Sequence, residues 1–288
     1  MDYIARAVSA DGFIRIFACR TTDLAAEAAR IHNLSATSAA ALGRTLTAAA
    51  LMGAMIKDNG TSVTIKIDGG GPIGQILAVT DNSSMVRGYV DNPHADAPSR
   101  ADGHLDVAGV VGTDGFLTVT RDYGLKEPYS SSVPLATGEI GDDFTAYFAA
   151  SEQTPSAVGL GVLIDKDLSV KCAGGFIVQL MPGATEEHIA DIEKAMRNFT
   201  SVTEALSEGK TPEQIAESLV TDQTLFFYEN IKTAYFCPCS KERMARALIS
   251  LGKKELEAII EEDHKAELSC RFCNNRYTFS EEELKKML

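Results

Sequence analysis

Phe236-Cys237-Pro238-Cys239-Ser240-Lys241-Glu242-Arg243 is answered, after the 30 residues Ser240 to Ser269, by Cys270-Arg271-Phe272-Cys273, so four of the six cysteines fall in 37 residues. Four thiolates complete one tetrahedron, and zinc accepts four sulfurs at ~2.3 Å from two close pairs joined by a longer loop. Such a set leaves no position open for water, so the metal it implies is structural rather than catalytic. Cys237 and Cys239 stand one residue apart, where an extended chain puts i and i+2 side chains on one face; both sulfurs can reach one metal, and they can also reach each other. His264, after Glu261-Glu262-Asp263, reads as a solvated side chain, not a substitute ligand.

The surroundings of these cysteines are small. Residues 231–288 contain two short helical patterns before the second pair and a terminal helix opened by Ser280, with Glu283 completing a capping box. A unit of this size buries proportionately little surface and commonly needs a metal or disulfides. Structural zinc contributes an apparent ~10–16 kcal/mol in small peptides, so oxidising the thiolates would unfold such a unit locally.

Upstream, residues 181–230 hold 10 acidic and 3 basic side chains against 10 and 11 in 231–288, a composition break near Asn230. Ile189, Ile192, Met196 and Phe199 recur at helical spacing, and Thr211-Pro212-Glu213-Gln214 starts a second helix with Thr as N-cap and Pro at N1. The segment reads as a helical linker with a solvated acidic face. Residues 1–180 open with a hairpin, 2–8 and 13–19 around Asp11-Gly12, continue with helices Thr22 to Asn33 and Thr37 to Lys57, and return to strands at 61–67, 74–80, 85–90, 116–121, 130–136, 156–164 and 169–181. The expected class is α+β, with a mixed sheet-and-helix body at 1–180, a helical linker at 181–230 and a C-terminal four-cysteine zinc domain at 231–288.

Composition excludes several classes. With 45% apolar and 23% charged residues in 288, the whole chain is expected to fold. A net charge of -13 repels phosphate backbones and anionic lipid. The longest charge-free stretch, Cys172 to Thr185, has 14 residues where a membrane span needs ~20, and the start lacks a signal peptide's basic and apolar regions. A cytoplasmic chain is expected, whose cysteines are thiols or metal ligands and not permanent disulfides.

Together with Ala41-Leu42-Gly43-Arg44-Thr45, Gly69-Gly70-Gly71-Pro72-Ile73-Gly74, Gly138-Glu139-Ile140-Gly141-Asp142-Asp143 and Gly175-Phe176-Ile177-Val178-Gln179-Leu180-Met181-Pro182-Gly183, the two cysteine pairs give the chain a resemblance, over essentially its whole length, to the redox-regulated 33 kDa heat-shock chaperonins of bacteria. The resemblance implies an ATP-independent holdase of the oxidative stress response, inactive when reduced and holding one Zn(II) through Cys237, Cys239, Cys270 and Cys273. It implies that peroxide or hypochlorous acid releases the metal and forms the disulfides Cys237-Cys239 and Cys270-Cys273. The zinc domain and linker then unfold, the protein becomes a homodimer, and unfolding client proteins are held until ATP-driven chaperones take over.

Other motifs read more plainly. Gly69 to Gly74 lacks the Lys-Ser/Thr ending of a phosphate loop, and Pro72 removes an amide donor, so a tight turn is expected. Cys19 and Cys172 read as small buried hydrophobes. Asp142 and Asp143 could form an acid-base pair but more simply cap a helix carrying Phe144, Tyr147 and Phe148. His32, His94, His104 and His188 lack metal spacing. A zinc-ribbon regulator binding nucleic acid through the last 58 residues is the alternative; four thiolates and one Zn(II) would bring their formal charge of +1 to -1, offering phosphate little. No nucleophile and base pair supports an enzyme.

Overall fold

A computed structural model describes residues 1–288. The two alternating runs around Asp11-Gly12 fold as the expected hairpin, β1 (Tyr3–Ser9) and β2 (Ile14–Arg20), with Ala5 opposite Ala18. There follow α1 (Thr22–His32), α2 (Ala36–Gly53), β3 (Ser62–Asp68), β4 (Ile76–Asp81), β5 (Met85–Val90), α3 (Val107–Val111), β6 (Phe116–Asp122), β7 (Tyr129–Pro134), α4 (Gly141–Ala150), β8 (Ser156–Ile164) and β9 (Val170–Leu180). Next come α5 (Glu186–Asn198), α6 (Val202–Ser207), α7 (Pro212–Glu217), β10 (Leu225–Phe227), β11 (Ile231–Lys232) and β12 (Ala234–Tyr235). The chain divides into two compact units, Met1–Phe236 and Cys237–Leu288.

Two six-stranded sheets build the first unit. One has the order β10-β1-β2-β9-β8, with β11 also on β1; the other runs β12-β5-β4-β3-β6-β7. Helix α2 packs on strands of both sheets, which explains its composition: Arg44 is its one charged residue, and Leu42, Leu46, Leu51 and the alanines from Ala39 to Ala50 are buried. Two of its buried hydroxyls are satisfied within the helix, Thr45 donating to the carbonyl of Ala41 (2.9 Å) and Thr47 to that of Gly43 (2.8 Å), while Ser38 donates to the Ala95 carbonyl (2.7 Å). Small residues let the sheets close on it: a Cβ on Gly43 would stand 2.9 Å from Val162 Cγ2.

The Gly69–Gly74 stretch connects β3 to β4, as a turn should, but does more. Its backbone bonds to the end of α3, the Gly71 amide donating to the Val111 carbonyl (3.0 Å) and the Ile73 amide to that of Val110 (3.1 Å). A Cβ on Gly71 would lie 2.3 Å from the Val110 carbonyl oxygen. Close backbone approach, not a ligand, demands glycine here.

The two helices expected here form as α5 and α7, with Thr211 capping α7 and Pro212 at its start, and the short α6 between them was not anticipated. Ile192, Val202, Ala205, Ile215 and Leu219 lie buried against Ile14, Ile16, Phe176 and Val178 of the first sheet. Polar bonds hold the edges. His188 Nδ1 accepts from the Thr185 amide (2.9 Å), its Nε2 lies 2.8 Å from Asp11 Oδ2, and Tyr3 donates to Glu213 (2.7 Å). The linker read as helical to 230 ends in a strand at 225–227, and 231–232 and 234–235, read as the start of the zinc domain, are strands as well. β10 and β11 extend along β1, and β12 lies parallel to β5. These strands carry the first unit six residues past the composition break at Asn230.

The second unit comprises α8 (Lys241–Ile249), α9 (Lys253–Asp263), the hairpin β13 (Lys265–Ser269) and β14 (Arg276–Ser280), and α10 (Glu281–Lys285). The hairpin was not anticipated from sequence, whereas the Ser280/Glu283 capping box forms as expected. Leu248, Leu256, Ile260, Ala266, Phe279 and Leu284 are the buried centre.

Candidate metal centre

Two local structures deliver the four sulfurs. Cys237-Pro238-Cys239 lies just before α8 and ends at Ser240, whose side chain caps α8 by accepting from the Arg243 amide; Arg243 in turn donates to the Pro238 carbonyl (3.1 Å) and braces the pair. Cys270 and Cys273 occupy the turn joining β13 to β14. There the Asn274 amide donates to the Cys270 carbonyl (2.8 Å), and the Cys270 amide to the Asn275 carbonyl (2.9 Å), Asn274 being left-handed at φ 57°.

All four Sγ atoms lie within 4.8 Å of one another. Cys237 Sγ is 3.6 Å from Cys270 Sγ, and Cys239 Sγ is 3.2 Å from Cys273 Sγ. Bonds of ~2.3 Å to a tetrahedral ion put sulfurs ~3.8 Å apart, so the donor set fits one metal ion without rearrangement of the backbone. The cysteines are free thiols, Cys270 buried and the others half-buried.

Their surroundings polarise them unequally. Burial pushes the Cys237 thiol well up and Cys273 up to about 11. For Cys239, burial acts upward too, but hydrogen bonds from the Tyr277 hydroxyl (3.0 Å) and the neighbouring thiols outweigh it and bring the group down to about 7. Tyr277 is the residue that sequence reasoning missed. Its place in β14, four residues beyond Cys273, aims it at the cluster only once the hairpin exists.

The remaining candidates lie elsewhere. Cys19 is fully buried, with its thiol pushed up by that burial, and Cys172 Sγ is 3.5 Å from the Thr203 carbonyl. Asp143 is no acid-base group: it is fully buried, its Oδ1 accepting from the amides of Ala136 (2.7 Å), Thr137 (3.0 Å) and Gly138 (3.3 Å) and its Oδ2 from Ile140 (2.8 Å). His264 is exposed beside Glu281.

Comparison with known proteins agrees with this architecture. A 33 kDa chaperonin of Clostridioides difficile (strain 630) is 48% identical, over 100% of this chain and 98% of its own length. One of Staphylococcus carnosus (strain TM300) is 47% identical over 100% and 97%. The crystal structure of a 33 kDa chaperonin, a heat shock protein 33 homologue from Thermotoga maritima, superposes with a TM-score of 0.91 at 40% identity, covering 99% of this chain and 97% of that one. The model of the Hsp33 protein family matches residues 2–280, and with these likenesses over its whole length the chain belongs to the Hsp33 family.

Proposed function

We propose that this chain is a redox-regulated, ATP-independent holdase of the bacterial cytoplasm. Family membership makes it a chaperone and not an enzyme, and no helix is long and apolar enough to cross a membrane. The observation that carries the redox reading is the meeting of four sulfurs within 4.8 Å in a unit whose buried centre is otherwise six apolar side chains. Zn(II), when bound by Cys237, Cys239, Cys270 and Cys273, closes the coordination sphere and supplies folding free energy to that unit.

Oxidation removes the ligands. Each disulfide formed from two thiols gives up two electrons and two protons to one peroxide, which leaves as two waters. The proposed bonds are Cys237-Cys239 and Cys270-Cys273, because a chain freed of its metal closes short loops before long ones. The unit at 237–288 then loosens, and the helical segment at 186–217 leaves the sheet, uncovering Ile14, Ile16, Phe176 and Val178 together with its own Ile192 and Ile215 and the following Leu219. Apolar surface of this kind binds unfolding clients and favours the proposed homodimer.

The deciding measurement is light scattering of a heat-denatured client with reduced, zinc-stripped and peroxide-treated protein. Suppression is expected from the oxidised form and only partly from the zinc-stripped form. Equal suppression by reduced, zinc-loaded protein would show that the cysteines do not switch activity.

A further inference from the structure

Arg6 on β1 and Arg15 on β2 flank a cavity of about 490 Å³ on the face of the first sheet opposite α5–α7. Phe17, Met55, Ile56 and Tyr228 supply apolar lining, and Lys57 stands exposed at its rim. The cations here have no carboxylate partner. Arg20, Arg30, Arg44, Arg100 and Arg121 each face an Asp or Glu. Arg6 and Arg15 instead donate to neutral oxygens, the Glu229 carbonyl (3.0 Å) and Gln179 Oε1 (2.6 Å), and neither they nor Lys57 form an ion pair.

Both guanidinium groups are half-buried, with Nε atoms that are enclosed and have no partner. Each stands near an aromatic ring, Arg15 at 5.4 Å from Phe17 and Arg6 at 5.9 Å from Tyr228. Removing a cation from water without a counter-charge is costly, and burial alone lowers the pKa of Arg15. Positive charge concentrated around an apolar cleft, in a chain of net charge -13, calls for an anionic partner with apolar neighbours.

The geometry points to a binding cleft for acidic–apolar peptide segments, in which a Glu or Asp carboxylate meets Arg15 and Lys57 while an adjacent apolar side chain lies against Phe17 and Met55. Taking the occupant to be a peptide rests on the chaperone reading above. The apolar lining and the overall negative field disfavour a polyphosphate backbone.

The test uses full-length reduced protein and a fluorescein-labelled octapeptide of alternating Glu and Leu, followed by anisotropy against its Gln/Leu counterpart. The Glu peptide should bind about tenfold tighter, as one charge-assisted contact implies. Arg15→Gln should abolish that preference. Lys57→Gln, at an exposed position that leaves folding intact, should reduce it about threefold. Equal affinity for the two peptides, indifference to both substitutions, or displacement of the Glu peptide by sodium phosphate at constant ionic strength would each overturn the proposal. Light scattering of a client with oxidised wild type, run alongside, reads the holdase separately. Holding without peptide discrimination removes the cleft and leaves the holdase; discrimination without holding does the reverse.

Discussion

The two compact units of this chain solve the same problem with different means. Met1–Phe236 buries a helix of alanines, leucines and threonines between two six-stranded sheets, and its order follows from apolar area and close packing. Cys237–Leu288 has six buried apolar residues and gathers four sulfurs around one point. A core made of many small contacts fails gradually, whereas a unit tied at one point fails when that point is cut. The chemistry that cuts it, oxidation of thiols, leaves alkyl side chains untouched.

Cutting the tie gives the largest expected difference. Chelation of zinc from reduced protein should withdraw a contribution of ~10–16 kcal/mol from the second unit alone. Amides of β13 and β14 should then exchange freely while those of β3 and β6 stay protected, and simultaneous opening of both sets would abolish the contrast. Next is Leu219→Ala, which empties a fully buried site under the linker and should cost ~2–5 kcal/mol. Its expected signature is easier proteolysis at 186–217 and partial client holding without oxidant, with zinc content unchanged; lost zinc would show that the units are less separate than drawn. Tyr277→Phe removes the hydroxyl on Cys239 and should weaken zinc ~10–100-fold in a competition titration, without altering the melting of the first unit.

The smallest effect belongs to pH. The Ser9 hydroxyl and then His188 hold the Asp11 carboxyl down at about 2 instead of 3.8. A lowered carboxyl pKa stabilises the folded form above the ordinary value and loses that help as pH falls through the lowered one. Exchange of α5 amides, corrected for intrinsic rate, should therefore rise between pH 3.8 and about 2, and Asp11→Asn should reproduce the rise at pH 7. An α5 that ignores both would show that apolar burial alone docks the linker.

Much of this was legible before any coordinates. Val63, Ile65 and Ile67 alternate with polar residues and are the buried face of β3; Thr211 and Ser280 announce their helices by side chains that must satisfy free amides. The cysteine spacing announced the cluster because ligand geometry constrains spacing. What stayed hidden depends on partners distant in the chain. Ile231–Lys232 and Ala234–Tyr235 are too short to show a pattern and are strands only because β1 and β5 lie beside them. Val107–Val111 has a single helical turn, set against Gly71 and Ile73. Arg6 and Arg15 belong to no motif, and only the register that places them beside Tyr228 and Gln179 gives them neutral partners.

The strand order of the first sheet also sets a timetable for the newborn chain. Ile14–Arg20 pairs with Gly174–Leu180, and Tyr3–Ser9 waits still longer for Leu225–Phe227. At ribosomal speeds of ~5–20 residues per second, the opening hairpin must pass roughly 10–30 s with its later neighbours unmade. In that interval an exposed strand edge is a template for the wrong partner. Ribosome-stalled chains ending before Val170 should thus lose Tyr3–Arg20 to protease, and chains extended past Phe236 should protect it. A member of a chaperone family thus spends its own first seconds with an edge in need of shielding.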